Sequence, residues 1–328
     1  MEKKISKGRF GILTLITVLS AFWLTGAVAA PAAYQPNPYL MKDSFSKSPK
    51  DASIALSAIN GLTVDPFTGA ANLSFPLSLP PGRNGMQPSL NLSYSTSYPN
   101  GTLGVGRRLD LGYLERSTKD GIPSYGQSDK YIFSLNGITS ELVYANNAYY
   151  PKIGPENFKF TFDGTCWKAK DKQGESYYFG DPAMPGSLEK KSATEIFRWY
   201  LVKVEDPQGN YIRIEYAAGT NYSTLSKIYY TLNSTMGSSY ARFSVEFIYE
   251  ATERNDRFSY YRPGYYSAIP PGRLSAVKIW FEDPVKKTLV RKYTFEYKYS
   301  NLSNRSLLTK ITEFGSDETI TLPPITFT

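Results

Sequence analysis

The sequence predicts an all-β protein of multi-stranded antiparallel sheets, sandwich- or shell-wall-like, with little helix outside an N-terminal leader. Three observations carry that reading. The 328 residues include 27 Tyr and 18 Phe alongside abundant Ser, Thr, Gly and Pro, a composition that favours strands and turns. Short runs of period-two alternation recur about every ten residues, the spacing of a sandwich or meander. Beyond the leader, no Ala/Leu/Glu/Lys-rich stretch keeps a helical period over a helical length.

Residues 1–29 read as a Sec signal peptide. Lys3, Lys4, Lys7 and Arg9 form its positive region, Gly11 to Leu24 its apolar core, and Ala27-Val28-Ala29 a small-x-small cleavage site. The core is shorter than the ~20 residues a membrane span needs, and no cysteine follows to carry a lipid. Cleavage after Ala29 or Ala30 therefore leaves a secreted chain, periplasmic or extracellular, with no stable membrane anchor. Residues 30–60, rich in Pro, Ser and Lys, read as a flexible lead-in. A β-rich module over 61–328 follows.

The module opens on a hairpin. Leu73, Phe75, Leu77 and Leu79 alternate with polar or turn residues, Pro80-Pro81-Gly82-Arg83-Asn84-Gly85 breaks the run, and Leu90, Leu92 and Tyr94 resume it. Further strands are expected at Lys130 to Leu135, Glu141 to Tyr144, Phe158 to Phe162, Cys166 to Lys170 and Ser176 to Phe179. The clearest hairpin joins Phe197–Val204 to Ile212–Tyr216 through Asp206-Pro207-Gln208-Gly209-Asn210. There Pro207 presets φ and Gly209 supplies a positive φ. Phe197, Trp199 and Leu201 are expected on one face, with Tyr200, Val202 and Val204 on the other, so this strand pair is expected between two layers. Strands at Phe243 to Tyr249, Arg273 to Phe281, Leu289 to Tyr299 and Leu307 to Phe314 follow, with Tyr293, Phe295, Tyr297 and Tyr299 on one face. The terminal LPPITFT lies within a further strand and reads as a cut through a longer protein.

Composition limits the chemistry. The chain has no histidine, which removes His-dependent triads, His-ligated zinc and the side chain most used as a base near pH 7. Cys166 is the sole cysteine, so it forms no intrachain disulfide or multi-thiolate site, and beside Trp167 it is expected to be a small buried hydrophobe. Four cations and one anion of the leader account for +3 of the formal +8, leaving about +5 spread among neighbouring acids and bases. Aromatic residues at strand spacing mean cross-strand packing rather than nucleic-acid binding.

Several segments, in this order, resemble the N-terminal domain of the SpvB family. They are VDPFTGAANLSFPLSLPPGRNGMQPSLNLSYS from Val64, LGVG at 103–106, ERSTKDGIPSY at 115–125, KDKQGESYYFG at 170–180, RWYLVKVEDPQGNYIRIEY at 198–216, PPGRLSAVKI at 270–279, and RKYTFEYKYS with the following SLLTKITEFG. The resemblance spans roughly residues 60 to 328. It implies a β-rich scaffold shared by secreted virulence proteins, B components of insecticidal toxin complexes and RHS-repeat proteins, in which it begins a hollow shell around a toxic C-terminal domain. The family usually places an aromatic residue after the GVG turn. Here Arg107-Arg108 follow, so packing at this corner is expected to depart from the family's.

Some SpvB-family proteins end in an ADP-ribosyltransferase, whose chemistry needs an Arg, a Ser-Thr-Ser strand and a Glu-x-Glu pair. Ser95-Thr96-Ser97 is present at a hairpin exit, but no Glu-x-Glu occurs in the sequence. The acid pairs Glu205-Asp206, Glu282-Asp283 and Asp317-Glu318 lie in or near turns, where solvated turn residues are expected rather than glycosidase pairs. Asp171, Gly174 and Glu175 lack the alternating ligands of a calcium loop. Gly104-Val105-Gly106 lacks the lysine and third glycine of a phosphate loop and instead marks a bend. No catalytic, cofactor-binding or metal-ligating residues are assigned, and no enzymatic activity is expected. The expected function is a secreted scaffold module that packs against downstream RHS or toxin-complex modules or a partner chain, with no nucleic-acid partner. The alternative is an extracellular glycan- or surface-binding module using exposed Tyr and Trp, with Tyr260, Tyr261, Tyr265 and Tyr266 in SYYRPGYYS as its candidate surface.

Overall fold

The computed structural model describes residues 60–154, 158–235, 241–283 and 285–327; the leader and nearly all of the lead-in lie outside these residues. The first strands are β1 (Asn60–Val64), β2 (Ala71–Pro76) and β3 (Asn91–Ser95). A corner follows, made of β4 (Asn100–Gly101), β5 (Gly104–Val105) and β6 (Arg107–Arg108). β1, β2, β3 and β6 form a four-stranded antiparallel sheet in that order, and β4 pairs with β5. In the opening hairpin Leu73 faces Tyr94 and Phe75 faces Leu92, so the period-two residues share one face as expected.

A meander comes next. It runs through β7 (Tyr113–Arg116), β8 (Tyr131–Leu135), β9 (Ile138–Ala145), β10 (Ala148–Pro151), β11 (Lys159–Phe162), β12 (Trp167–Lys170) and β13 (Ser176–Phe179). A 3-10 turn, Pro185–Ser187, and β14 (Leu188–Lys190) lead into β15 (Ile196–Glu205). β15 closes the ring, pairing with β7 through Arg198–Tyr200 and with β13 through Leu201–Glu205. The product is an eight-stranded antiparallel barrel.

A barrel of this size has an interior just wide enough for side chains to fill it, and here aromatic rings fill it. Trp167 and Trp199 are fully buried. Phe162 stacks on Trp167 at 4.7 Å between centroids, and Tyr131 meets the same indole edge-on at 4.8 Å. Part of the aromatic load noted in the sequence is thus barrel packing.

From β15 the sheet continues through β16 (Asn210–Gly219), β17 (Tyr222–Asn233) and β18 (Phe243–Tyr249). After an excursion carrying the short pair β19 (Ser259–Tyr260) and β20 (Ser267–Ala268), it resumes with β21 (Leu274–Phe281), β22 (Thr288–Tyr299), β23 (Ser306–Phe314) and β24 (Ile325–Thr326). Barrel and long sheet share β15, so the wall is continuous. The small sheet packs on the long one: Phe75 meets Tyr293 edge-on at 6.4 Å, the Ser78 amide donates to the Tyr293 hydroxyl at 3.0 Å, and the Tyr230 hydroxyl donates to Pro80 O at 3.2 Å. This part is a sandwich.

Two local expectations change. A bulge shifts the β13–β15 register, so Tyr177 faces Val204 while Phe179 faces Leu201. That puts Val204 on the Leu201 face rather than with Tyr200 and Val202. Cys166 is half-buried rather than buried, because it closes the β11–β12 turn, where its amide donates to Asp163 Oδ1 at 2.7 Å. Burial, with help from nearby Asp163, pushes its thiol up to about 11, which makes it a poor nucleophile.

The GVG bend is a close approach that glycine alone permits. Gly104 has φ +84° and a Cβ there would lie 2.5 Å from Ser306 O; at Gly106 (φ +76°) a Cβ would lie 2.8 Å from the Tyr94 ring. Gly104→Ala is therefore expected to cost about 2 kcal/mol or more through strain and backbone displacement. A urea midpoint unchanged from wild type would contradict this. The two arginines that follow are held by stacking on aromatic rings. The Arg107 guanidinium lies 3.7 Å from the Phe327 ring centroid and 5.1 Å from that of Tyr94. Arg108 lies 3.9 Å over Tyr98 and pairs with Asp110 at 2.8 Å.

Candidate interaction surface

The four candidate tyrosines sit in the excursion between β18 and β21, which is fastened at both ends. At its base, Arg254 and Asp256 form a buried pair, Nε to Oδ1 at 2.7 Å, with 0% and 4% of their side chains exposed. Asp256 also accepts from the Asn100 amide at 2.8 Å and from Ser306 N and Oγ at 2.6 and 2.9 Å. Arg254 reaches Asn100 Oδ1 and Gly101 O. One ion pair thus ties the excursion to the β4–β5 corner and to the start of β23. At its tip, the Tyr125 hydroxyl donates to Pro263 O, and Gly264 lies against Ile122 of the β7–β8 loop.

The Tyr261–Gly264 turn, closed by Gly264 N to Tyr261 O at 3.1 Å, separates the tyrosines. Tyr261 and Tyr266 are 50% and 65% exposed, and their rings meet edge-on at 5.2 Å. Tyr260 and Tyr265 are half-buried. Burial, and then the charge of Glu189, hold both of their hydroxyls above the ordinary phenol range. The sequence motif therefore yields one exposed pair and one inward pair.

The group that the inward pair feels lies on the barrel's outer face, where alternation turns Arg198 and Tyr200 away from Trp199. Arg198 donates to Glu115 Oε2 from Nε at 2.8 Å and to Glu189 Oε1 from Nη1 at 3.2 Å, and the Tyr200 hydroxyl donates to the same Glu189 oxygen. Burial alone would lower the guanidinium, but the two carboxylates outweigh it and hold Arg198 above its ordinary value. Both carboxylates already accept from a fixed cation, an arrangement that locks strands together.

The other polar motifs serve turns. Ser95 is buried at the end of β3, its Oγ accepting from Ser97 N, and Thr96 Oγ1 accepts from Ala71 N. Asp206 Oδ1 accepts from Gln208 N and Asn210 N at 2.9 and 2.8 Å. Burial alone would raise this carboxyl, but these bonds, with those from the Asn210 and Asn84 side chains, hold it below the usual carboxylate range. Glu205 accepts from Lys203 and Ser234, and Glu282 from Ser244 and Lys287. Asp283 Oδ1 accepts from Val285 N. Asp317 caps its own turn, and Glu318 pairs with Lys278 and Lys292. Asp171 Oδ1 accepts from Gln173 N and Glu175 N, both at 2.9 Å. The Arg254–Asp256 pair was not legible in the sequence, since its partners lie about 50 and 150 residues away.

These features define an all-β module of barrel and sandwich, with its buried charges spent on holding segments together. Residues 65–150 match the family described as Salmonella virulence plasmid 65kDa B protein, SpvB. This bears out the resemblance read from the sequence: residues 65–150 form an SpvB-type segment, and the fold is that of the solved structures that follow. The N-terminal domain of effector protein SpvB from Salmonella typhimurium strain LT2 shares the fold with a TM-score of 0.63 at 19% identity, over 74% of this chain and 98% of that one. A TcdB2-TccC3 crystal structure without its hypervariable C-terminal region aligns with a TM-score of 0.67 at 18% identity. The Photorhabdus luminescens Tc holotoxin pore aligns with a TM-score of 0.65 at 18% identity. In both, the likeness covers 82% of this chain and 16% of the other, so the chain matches a small part of the toxin polypeptide. No curated protein sequence matches the chain.

Proposed function

We propose that the chain is a non-catalytic, exported scaffold module of a toxin or RHS-type shell, whose work is to form wall and to pack against neighbouring modules or a partner chain. The observation that carries this is the continuity of the wall. One strand, β15, belongs both to a solidly packed barrel and to a sheet that runs on to β24. A rigid, filled barrel fused to a long sheet suits load-bearing enclosure, and the likeness to TcdB2-TccC3 supports the same reading. Export through the leader at residues 1–29, and final residence in the periplasm or medium, belong to this proposal.

A second reading is favoured by the exposed Tyr261–Tyr266 pair. It is recognition of a glycan or cell-surface protein through that patch. Hydrogen–deuterium exchange, measured with and without the product of the adjacent downstream reading frame, separates the two. The scaffold reading expects new protection along β22–β24 and the small sheet. Protection confined to the 258–268 excursion would transfer the function to the tyrosine surface, and no protection anywhere would refute the partner.

A further inference from the structure

One end of the barrel carries a cleft of about 400 Å³. Four turns meet there: the β2–β3 loop, the β8–β9 turn, the β12–β13 turn and the β15–β16 turn. Met86 of the β2–β3 loop is buried in the core, which holds the loop over the barrel mouth. Leu135, Leu201 and Ile212 are among the apolar residues of the floor. The rim holds five carboxamides, Asn84, Gln87, Asn136, Gln173 and Gln208, of which Gln87 already accepts from Gly82 N at 3.0 Å through its Oε1. Two acids also line it, and both are engaged: Glu175 accepts from the Tyr177 hydroxyl at 2.8 Å, and Asp206 holds its turn. Among the described residues that line the cleft there is no Lys or Arg.

We infer that this cleft is a binding site for a neutral saccharide. Its volume falls in the range of small-ligand sites. A carboxamide offers a donor and an acceptor side by side, which matches the paired donor and acceptor character of vicinal hydroxyls. The apolar floor suits the C–H face of a pyranose ring. Two carboxylates in a lining that holds no Lys or Arg disfavour an anionic ligand. The site is separate from the tyrosine pair, and it stands whether or not the chain also serves as a shell wall.

The test is saturation-transfer NMR on the exported chain with three neutral probes, maltotriose, cellotriose and triacetylchitotriose, and with 3′-sialyllactose as an anionic comparison. At least one neutral probe is expected to bind and sialyllactose to bind more weakly. The Gln173→Ala/Gln208→Ala double variant, altered only at exposed turn positions, is expected to weaken binding about tenfold or more with an unchanged thermal midpoint. Asn136→Gly suits the existing φ of +52° and removes one more amide, so it should weaken binding without a folding penalty. No transfer to any neutral probe, or transfer that survives both variants, overturns the assignment.

Discussion

Asp256→Ala is expected to lower the unfolding free energy by about 3–5 kcal/mol, because it strands the buried Arg254 guanidinium without its counter-charge. The loss spreads beyond the pair. Ser306 N, Ser306 Oγ and the Asn100 amide lose their acceptor together, so the excursion, the β4–β5 corner and the start of β23 are released at once. The carboxylate also predicts an acid response. Burial alone would raise it, but the hydrogen bonds from Arg254, Ser306 and Asn100 outweigh that and hold it far below the ordinary range. A carboxyl depressed in the native state stabilises fully above its unfolded value of about 3.9, and that stabilisation is lost as pH falls towards the native value. Urea midpoints of the wild type should therefore fall steeply below about pH 4. Asp256→Asn should start lower and show a shallower acid slope. Equal midpoints and equal slopes would refute the role given to this pair.

The second large effect is expected inside the barrel. Trp199→Ala should cost about 3–5 kcal/mol, as a large ring is lost from a site that cannot collapse. Trp199 is fully buried between Leu114 of β7 and Leu188 of β14, and its Nε1 donates to Thr165 O at 2.7 Å. Phe162, Trp167 and Tyr131 pack around the ring within 6.1 Å of its centroid. The near-UV circular dichroism of this aromatic set should collapse in the variant. Tyr261→Ala, on the surface, should stay within about 0.5 kcal/mol of wild type. Comparable losses at both positions would mean that the barrel is not the stabilising core.

Most strands were legible because alternation survives wherever one face is buried. The strands read at Ser176 to Phe179 and Phe243 to Tyr249 have those same ends in the structure, and Tyr293, Phe295 and Tyr297 share the inner face of β22. Closure of the barrel was not legible. It depends on β7 and β13 meeting opposite edges of β15, and nothing local in any of the three strands encodes that pairing. β17 escaped notice since its first half, Tyr222 to Lys227, is polar and half-buried, which blurs the period. The bulge that turns Val204 inward is one residue long, and a one-residue slip reverses a face assignment. Among the candidate tyrosines, sequence grouped four residues that a single Pro263-Gly264 turn divides. The barrel-mouth cleft went unseen because its amides come from four separate turns.

The central claim is tested most directly by size-exclusion chromatography with light scattering. The chain from Ala30 to Thr328 would be run alone and mixed with the product of the adjacent downstream reading frame. A stoichiometric complex that forms only in the mixture is the expected result for a module that builds a wall with a partner. A well-behaved monomer that elutes unchanged in the mixture would contradict the scaffold account and leave an independent binding module in its place.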